Sequence, residues 1–159
     1  MTGAQQALQA VQLSLFSERA RGAERQSLEE IKLFLTQGGD IDQLDHGNTR
    51  LILAAIRGHS SVVRFLIEQG ADIDIKNGND HTALMMAVLN KHKDVVDQLL
   101  SAGATVDEGC VAGAELKRVP EIKQMLLDAA ENRRQHEASI AKQQTLKDAA
   151  RRSKLRLTL

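Results

Sequence analysis

The sequence predicts an all-α solenoid of about four stacked helix–turn–helix units, followed by a basic C-terminal tail that is helical or disordered. Three observations carry that expectation. The stretch GNTRLILAAIRGHSSVVRFLIEQGADID, beginning at Gly47, is written again 33 residues later: Thr49 returns as Thr82, Leu51 as Leu84, His59 as His92, Val62-Val63 as Val95-Val96 and Gly70-Ala71 as Gly103-Ala104. Inside each copy the apolar residues keep helical spacing and are interrupted once. The whole chain, 159 residues with 42% hydrophobic and 26% charged, has the composition of an ordinary globular domain long enough to bury a core. A fixed period of this length marks supersecondary units that bury their apolar faces only against neighbours.

The elements follow in chain order. Ala4, Ala7, Leu8, Val11 and Leu15 lie at helical spacing and predict the first helix of the opening unit. SLEEIKLFL, from Ser27 to Leu35, reads as its second helix, and Gly38-Gly39-Asp40-Ile41-Asp42 as the exit loop. In the second unit Thr49 is placed to cap a helix whose face is Leu51, Ala54 and Ala55. Gly58-His59 breaks that helix, and Val62, Val63, Leu66 and Ile67 form the face of the next. The third unit repeats the scheme with Thr82, Leu84, Ala87 and Val88, then Val95, Val96, Leu99 and Leu100. Small alanines on the first helices let neighbouring helices approach closely. Gly70 and Gly103 stand just past the second helices, where a left-handed residue ends a helix. Val119, Ile122, Met125 and Leu126 predict a last second helix, with Pro120 tolerated in its first turn. The piece between Asp107 and Pro120 is about seven residues short of a full unit, which predicts a truncated cap. The expected units are 3–42, 43–74, 75–107 and 108–130, one repeat domain over 3–130, with the tail at 131–159.

Residues Gly47 to Asp74, G-N-T-R-L-I-L-A-A-I-R-G-H-S-S-V-V-R-F-L-I-E-Q-G-A-D-I-D, resemble the ankyrin repeat pattern, roughly G-x-T-P-L-H-x-A-A-x-x-G-H-x-x-V-V-x-x-L-L-x-x-G-A-D-x-N. Two copies match over nearly their full length. The pattern's Pro is replaced by Arg50 and Ala83, and its first His by Ile52 and Met85, so the turn at the first helix should be weaker. The resemblance implies a concave surface, built from the loops before the first helices and the exposed side of those helices, that grips other proteins. Carried onto this chain, the partner-binding positions are Asp45, His46, Asn48, Ile56 and Arg57 in one unit, and Asn79, His81, Leu89 and Asn90 in the next, with Gly78 beside them.

Composition excludes other classes. Lys+Arg and Asp+Glu balance at 21 each, so charge does not select nucleic acid or an anionic membrane. Aromatic residues are 2% of the chain, with no Trp or Tyr, which argues against base stacking and removes two usual interface anchors. No apolar run reaches the roughly 18–20 residues that cross a bilayer, and MTGAQQALQAVQLSLF lacks the features of a secretory signal. The single cysteine demands no oxidising compartment. A cytoplasmic protein is expected.

No catalytic residue, cofactor site or metal site is expected. Cys110 with a histidine would be the obvious nucleophile and base, but it falls in an apolar truncated repeat and reads as a small packed hydrophobe. His59 and His92 occupy a structural position of the repeat. His46 and His81 precede Thr49 and Thr82 on adjacent loops, yet no third ligand with suitable spacing accompanies them. Gly78-Asn79 is a turn signal and not a phosphate loop. Glu29-Glu30 and Asp72/Asp74 read as solvated charges on a helix face and in an exit loop.

From Asp128 the chain turns polar and basic, with eight Lys or Arg against four Asp or Glu over 128–159. Ala138, Ala141, Thr145 and Ala149 would form a thin stripe on a helix with little to bury. The expected function is a non-enzymatic adaptor, targeting or inhibitory module that binds one protein partner and acts on no small-molecule substrate. The alternative is a translocated bacterial effector or regulator in which the basic tail is an export or docking signal; the run from Arg151 to Leu159 is similar in kind to the basic C-terminal signals of type IV secretion substrates.

Overall fold

Two threonines set where the repeated helices begin. Thr49 and Thr82 are buried in extended backbone, and their hydroxyls accept the backbone N–H of Ile52 at 3.2 Å and of Met85 at 3.3 Å. Each satisfies one of the amides that a helix start leaves without a partner. The structure, a computed structural model, describes residue 22 and residues 24–156. The helix expected around Ala4 to Leu15 lies outside the described residues. Those described form seven helices and no strand beyond one isolated bridge. They fall into two compact units, one reaching Thr105 and the other starting at Val106.

In the first unit α1 covers 24–36, α2 Arg50–Arg57, α3 Ser60–Glu68, α4 Ala83–Leu89 and α5 Lys93–Ser101. The turn within each hairpin is a left-handed residue, Gly58 at φ 71° and Lys91 at φ 63°. The following histidine sends its N–H back to an alanine carbonyl, His59 to Ala54 and His92 to Ala87, both at 3.0 Å. α2 packs on α4 and α3 on α5, so equivalent helices of successive repeats are neighbours. The core between them is Leu51, Ile52, Ala55, Val62, Val63 and Leu66 with Leu84, Ala87, Val88, Val95, Val96 and Leu99, all buried. Ala83 and Ala87 are fully covered, as a close helix–helix approach requires. Ile52, standing where the pattern has His, has gone into the core. Over the described residues up to Thr105 the chain is an all-α repeat solenoid.

Asp72 and Asp74 are exposed in the exit loops, in keeping with their reading as solvated charges, and the acids of these loops also accept hydrogen bonds. The Asp42 carboxylate accepts the backbone N–H of Asp72 at 3.0 Å, and Asp74 accepts both the N–H and the hydroxyl of Thr105, at 2.8 and 2.5 Å. Asp42 and Asp74 hold the same place after Gly38 and Gly70, so one carboxylate per repeat ties each exit loop to the next. Within the loops Asp40 and Asp72 accept the N–H two residues on. These acids brace the stack.

The second unit is a helical hairpin. Asp107, the next exit-loop aspartate, caps α6 (Glu108–Leu116) directly by accepting the Cys110 N–H at 2.8 Å. The loop that precedes α2 and α4 therefore has no counterpart here. The left-handed turn residue Arg118 follows Lys91 after 27 residues, against 33 between Gly58 and Lys91: the connection before α6 is eight residues shorter than that before α4, and α6 is two residues longer. α7 runs from Pro120 to Arg156 as one helix of 37 residues, about 55 Å at 1.5 Å per residue. Cys110, Gly113 and Ala114 of α6 and Ile122 and Leu126 of α7 are buried, and Lys123 pairs with Glu115 at 2.5 Å. Beyond Ala130 every residue through Asp148 is exposed, while the helix continues without a break.

Candidate functional site

The loops before α2 and α4 are short fingers whose shape follows from their residues. In the first, Asp45 and Asn48 exchange backbone hydrogen bonds at 2.8 and 3.0 Å around His46 and Gly47, both left-handed at φ 48° and 80°. Two successive positive φ angles are what a two-residue hairpin turn needs. In the second, the Asn77 N–H bonds to the His81 carbonyl at 2.9 Å, and Asp80 is the left-handed residue at φ 65°. The Asn77 side chain organises this finger: its Oδ1 accepts the N–H of both Asn79 and His81 at 3.0 Å. The two fingers are tied together, Gly78 N–H to Gly47 carbonyl at 3.2 Å and Asn77 Nδ2–H to Asn48 Oδ1 at 3.0 Å.

The nine positions proposed from sequence divide accordingly. Asp45, His46 and Asn79 are exposed on the fingers, His46 with its side chain 96% accessible. Asn48 and His81 are half-buried, and Asn48 has a structural task in joining the fingers. Ile56 and Leu89 are half-buried, and Arg57 and Asn90 exposed, at the far ends of the neighbouring helices α2 and α4. The Asn90 amide folds back onto the Met86 carbonyl at 2.8 Å, closing the last turn of α4. Eight helical residues, about 12 Å, separate the first finger from Arg57. Asp45 and Arg57 nonetheless line one cavity of about 160 Å³, together with Glu30 of α1, Arg50 of α2 and His59.

Sequence reasoning passed over Arg50 and Asn77. Arg50 occupies the pattern's proline position; its guanidinium lies 3.5 Å from the centroid of the Phe34 ring, and its Nη1 is buried with no hydrogen-bond acceptor among the described residues. Its signal was the departure from the pattern itself. Asn77 had a local signal, an Asn-Gly pair before two further turn residues.

The histidines of the turns are structural. His92 Nε2 lies 3.1 Å from the Ile56 carbonyl, joining one hairpin to its predecessor. Burial lowers the His59 pKa from its ordinary 6.5, with Arg57 and His92 acting the same way and Glu24 opposing. Ser61, two residues on, donates through its N–H and hydroxyl to Glu24 at 2.7 and 2.8 Å. Cys110 is fully buried; burial first, then the Asp107 carboxylate, pushes its thiol up to about 12. A thiol held protonated this firmly is a poor nucleophile. No group of three or more His, Cys, Asp or Glu among the described residues could hold a metal ion.

Capped helix pairs, left-handed turns and stitched fingers define a class, the helical-repeat proteins. The family model described as ankyrin repeats (3 copies) matches residues 20–109, more than half of the chain. The chain belongs to the ankyrin repeat family. Such repeats are in general protein–protein interaction modules and typically carry no enzymatic activity. No helix among the described residues is long and apolar enough to cross a membrane.

Proposed function

We propose that this protein is a non-enzymatic adaptor, targeting or inhibitory module that binds one protein partner through its fingers and the exposed ends of α2 and α4. The supporting observation is that the fingers are fixed by hydrogen bonds within and between them while Asp45, His46 and Asn79 stay exposed at their tips. A surface ordered before the encounter loses less entropy on binding. Synthesis and action in the cytoplasm go with this reading.

The test is partner capture by paired variants. Leu89→Ala with Asn90→Ala removes an apolar and a polar contact from one helix end and is expected to weaken capture by about tenfold, roughly 1.4 kcal/mol. Charge reversals at Arg64 and Asp97, exposed residues that line a groove on α3 and α5, are the control and should leave capture unchanged. The opposite pattern would place the docking surface on α3 and α5.

A second reading rests on α7, whose residues 131–148 are all exposed along a continuous helix. A helix with nothing packed on it is marginal by itself, and in this reading the basic segment is an export or docking signal. Removal of residues 132–159 separates the two: capture that survives intact rules out the tail as the binding element.

A further inference from the structure

We propose that the cavity shared by α1 and α2 receives a carboxylate of the protein partner, gripped by Arg50 and Arg57. The inference rests on the protein-binding reading and names the chemistry of the contact. Arg50 replaces the family's proline, and the equivalent Ala83 is simply buried in a helix–helix contact. A small residue suffices for packing at this place, so packing does not explain a guanidinium. Stacking on Phe34 at 3.5 Å holds the guanidinium plane in one orientation. Its Nη1 is covered and has no acceptor among the described residues, so it is the part of the guanidinium facing the cavity that is left to a carboxylate.

Arg57 lies two helical turns further along the same face of α2, with Ala54 between, and lines the same cavity. Among the described residues neither arginine has a carboxylate within ion-pairing distance. The space of about 160 Å³ exceeds several water volumes of about 30 Å³ each, enough for the end of an acidic side chain.

Glu30 and Asp45 also line the cavity, and they narrow the ligand class. Their two negative charges repel a multiply charged anion such as phosphate more strongly than a singly charged carboxylate. They favour a carboxylate that arrives with hydrogen-bond donors beside it, as a glutamate does within a peptide backbone.

The test follows the arginine side-chain Nε resonances of the full chain during titration with acetyl-Gly-Glu-Gly-amide, its Gln counterpart, acetate and inorganic phosphate. The Glu peptide is expected to give saturable shifts at Arg50 and Arg57, and the Gln peptide to bind at least about tenfold more weakly. Arg50→Gln should abolish the response, and Arg50→Lys should weaken it, because an ammonium lacks the bidentate fork. Arg57→Gln, at an exposed position, tests the same grip without disturbing the Phe34 contact. No saturable shift, equal binding of the two peptides, or unchanged binding in both Gln variants would overturn the proposal. Acetate or phosphate binding as tightly as the Glu peptide would overturn it too, by making this a small-anion site. Leu89 and Asn90 do not line the cavity. Loss of capture in their variants with no peptide response would leave the protein-binding face standing and remove only the carboxylate site.

Discussion

Gly58→Ala perturbs two things at once, and the structure separates them. Gly58 sits at φ 71°, so any side chain there meets the left-handed penalty of about 1–2 kcal/mol. A Cβ at this place would also stand 2.5 Å from Nδ1 and 2.6 Å from Cε1 of the His92 ring. The ring has to leave, and it takes with it the contact to the Ile56 carbonyl, worth about 1 kcal/mol. The sum is a loss of about 2–3 kcal/mol, read from urea unfolding as the change in midpoint multiplied by the slope. Lys91 calibrates the first part, because it holds the same turn at φ 63° with its Cβ already accommodated. Lys91→Gly should therefore stabilise, by about 0.5–1 kcal/mol after the flexibility of glycine is offset. In a His92→Ala background the cost of Gly58→Ala should fall to the backbone part alone, about 1–2 kcal/mol. Equal costs of Gly58→Ala in the two backgrounds would mean the His92 ring is not held between successive hairpins.

Three further outcomes are expected. Cys110, raised to about 12 from 9.0, keeps its proton when folded, so its contribution to stability is complete below about 9 and declines as pH rises toward 12; a disulfide reagent at pH 8 should label it only in unfolding urea, and rapid labelling of the native chain would contradict the burial. His59, lowered from 6.5, works in the other direction: its neutral form is favoured on folding, so stability present above 6.5 is lost as pH falls below it, and His59→Gln should flatten unfolding midpoints measured from pH 7 to 5. Asp74→Ala removes two hydrogen bonds to Thr105 and should cost about 1–2 kcal/mol in urea unfolding, whereas a neutral result would return that acid to the role of a solvated charge.

The helices were legible because their signals are periodic and local. Thr49 and Thr82 cap where the sequence places caps, the apolar faces are buried, and Gly70 and Gly103 turn left-handed at φ 85° and 93°. What escaped depends on pairs distant in sequence. Asp74 reads as a surface charge until Thr105, 31 residues on, is brought beside it, and the Asn77–Asn48 bond spans 29. Arg50 was noticed only as a departure from the pattern, because no local rule places a guanidinium over the ring of Phe34. The truncated unit was legible in its length but not in its cause, which is that Asp107 serves in place of a finger as a direct helix cap. The positions offered for partner binding came from family analogy; of these Asp45, His46 and Asn79 are exposed on the fingers, and Arg57 and Asn90 at the ends of α2 and α4.

The most direct measurement is hydrogen exchange of the chain alone and with its captured partner, resolved to single amides. If the fingers and helix ends are the docking face, protection appears at 45–48, 77–81 and the last turns of α2 and α4, while α3 and α5 exchange as before. Protection confined to α3 and α5, or to α7 beyond residue 130, with the fingers unchanged, would contradict it.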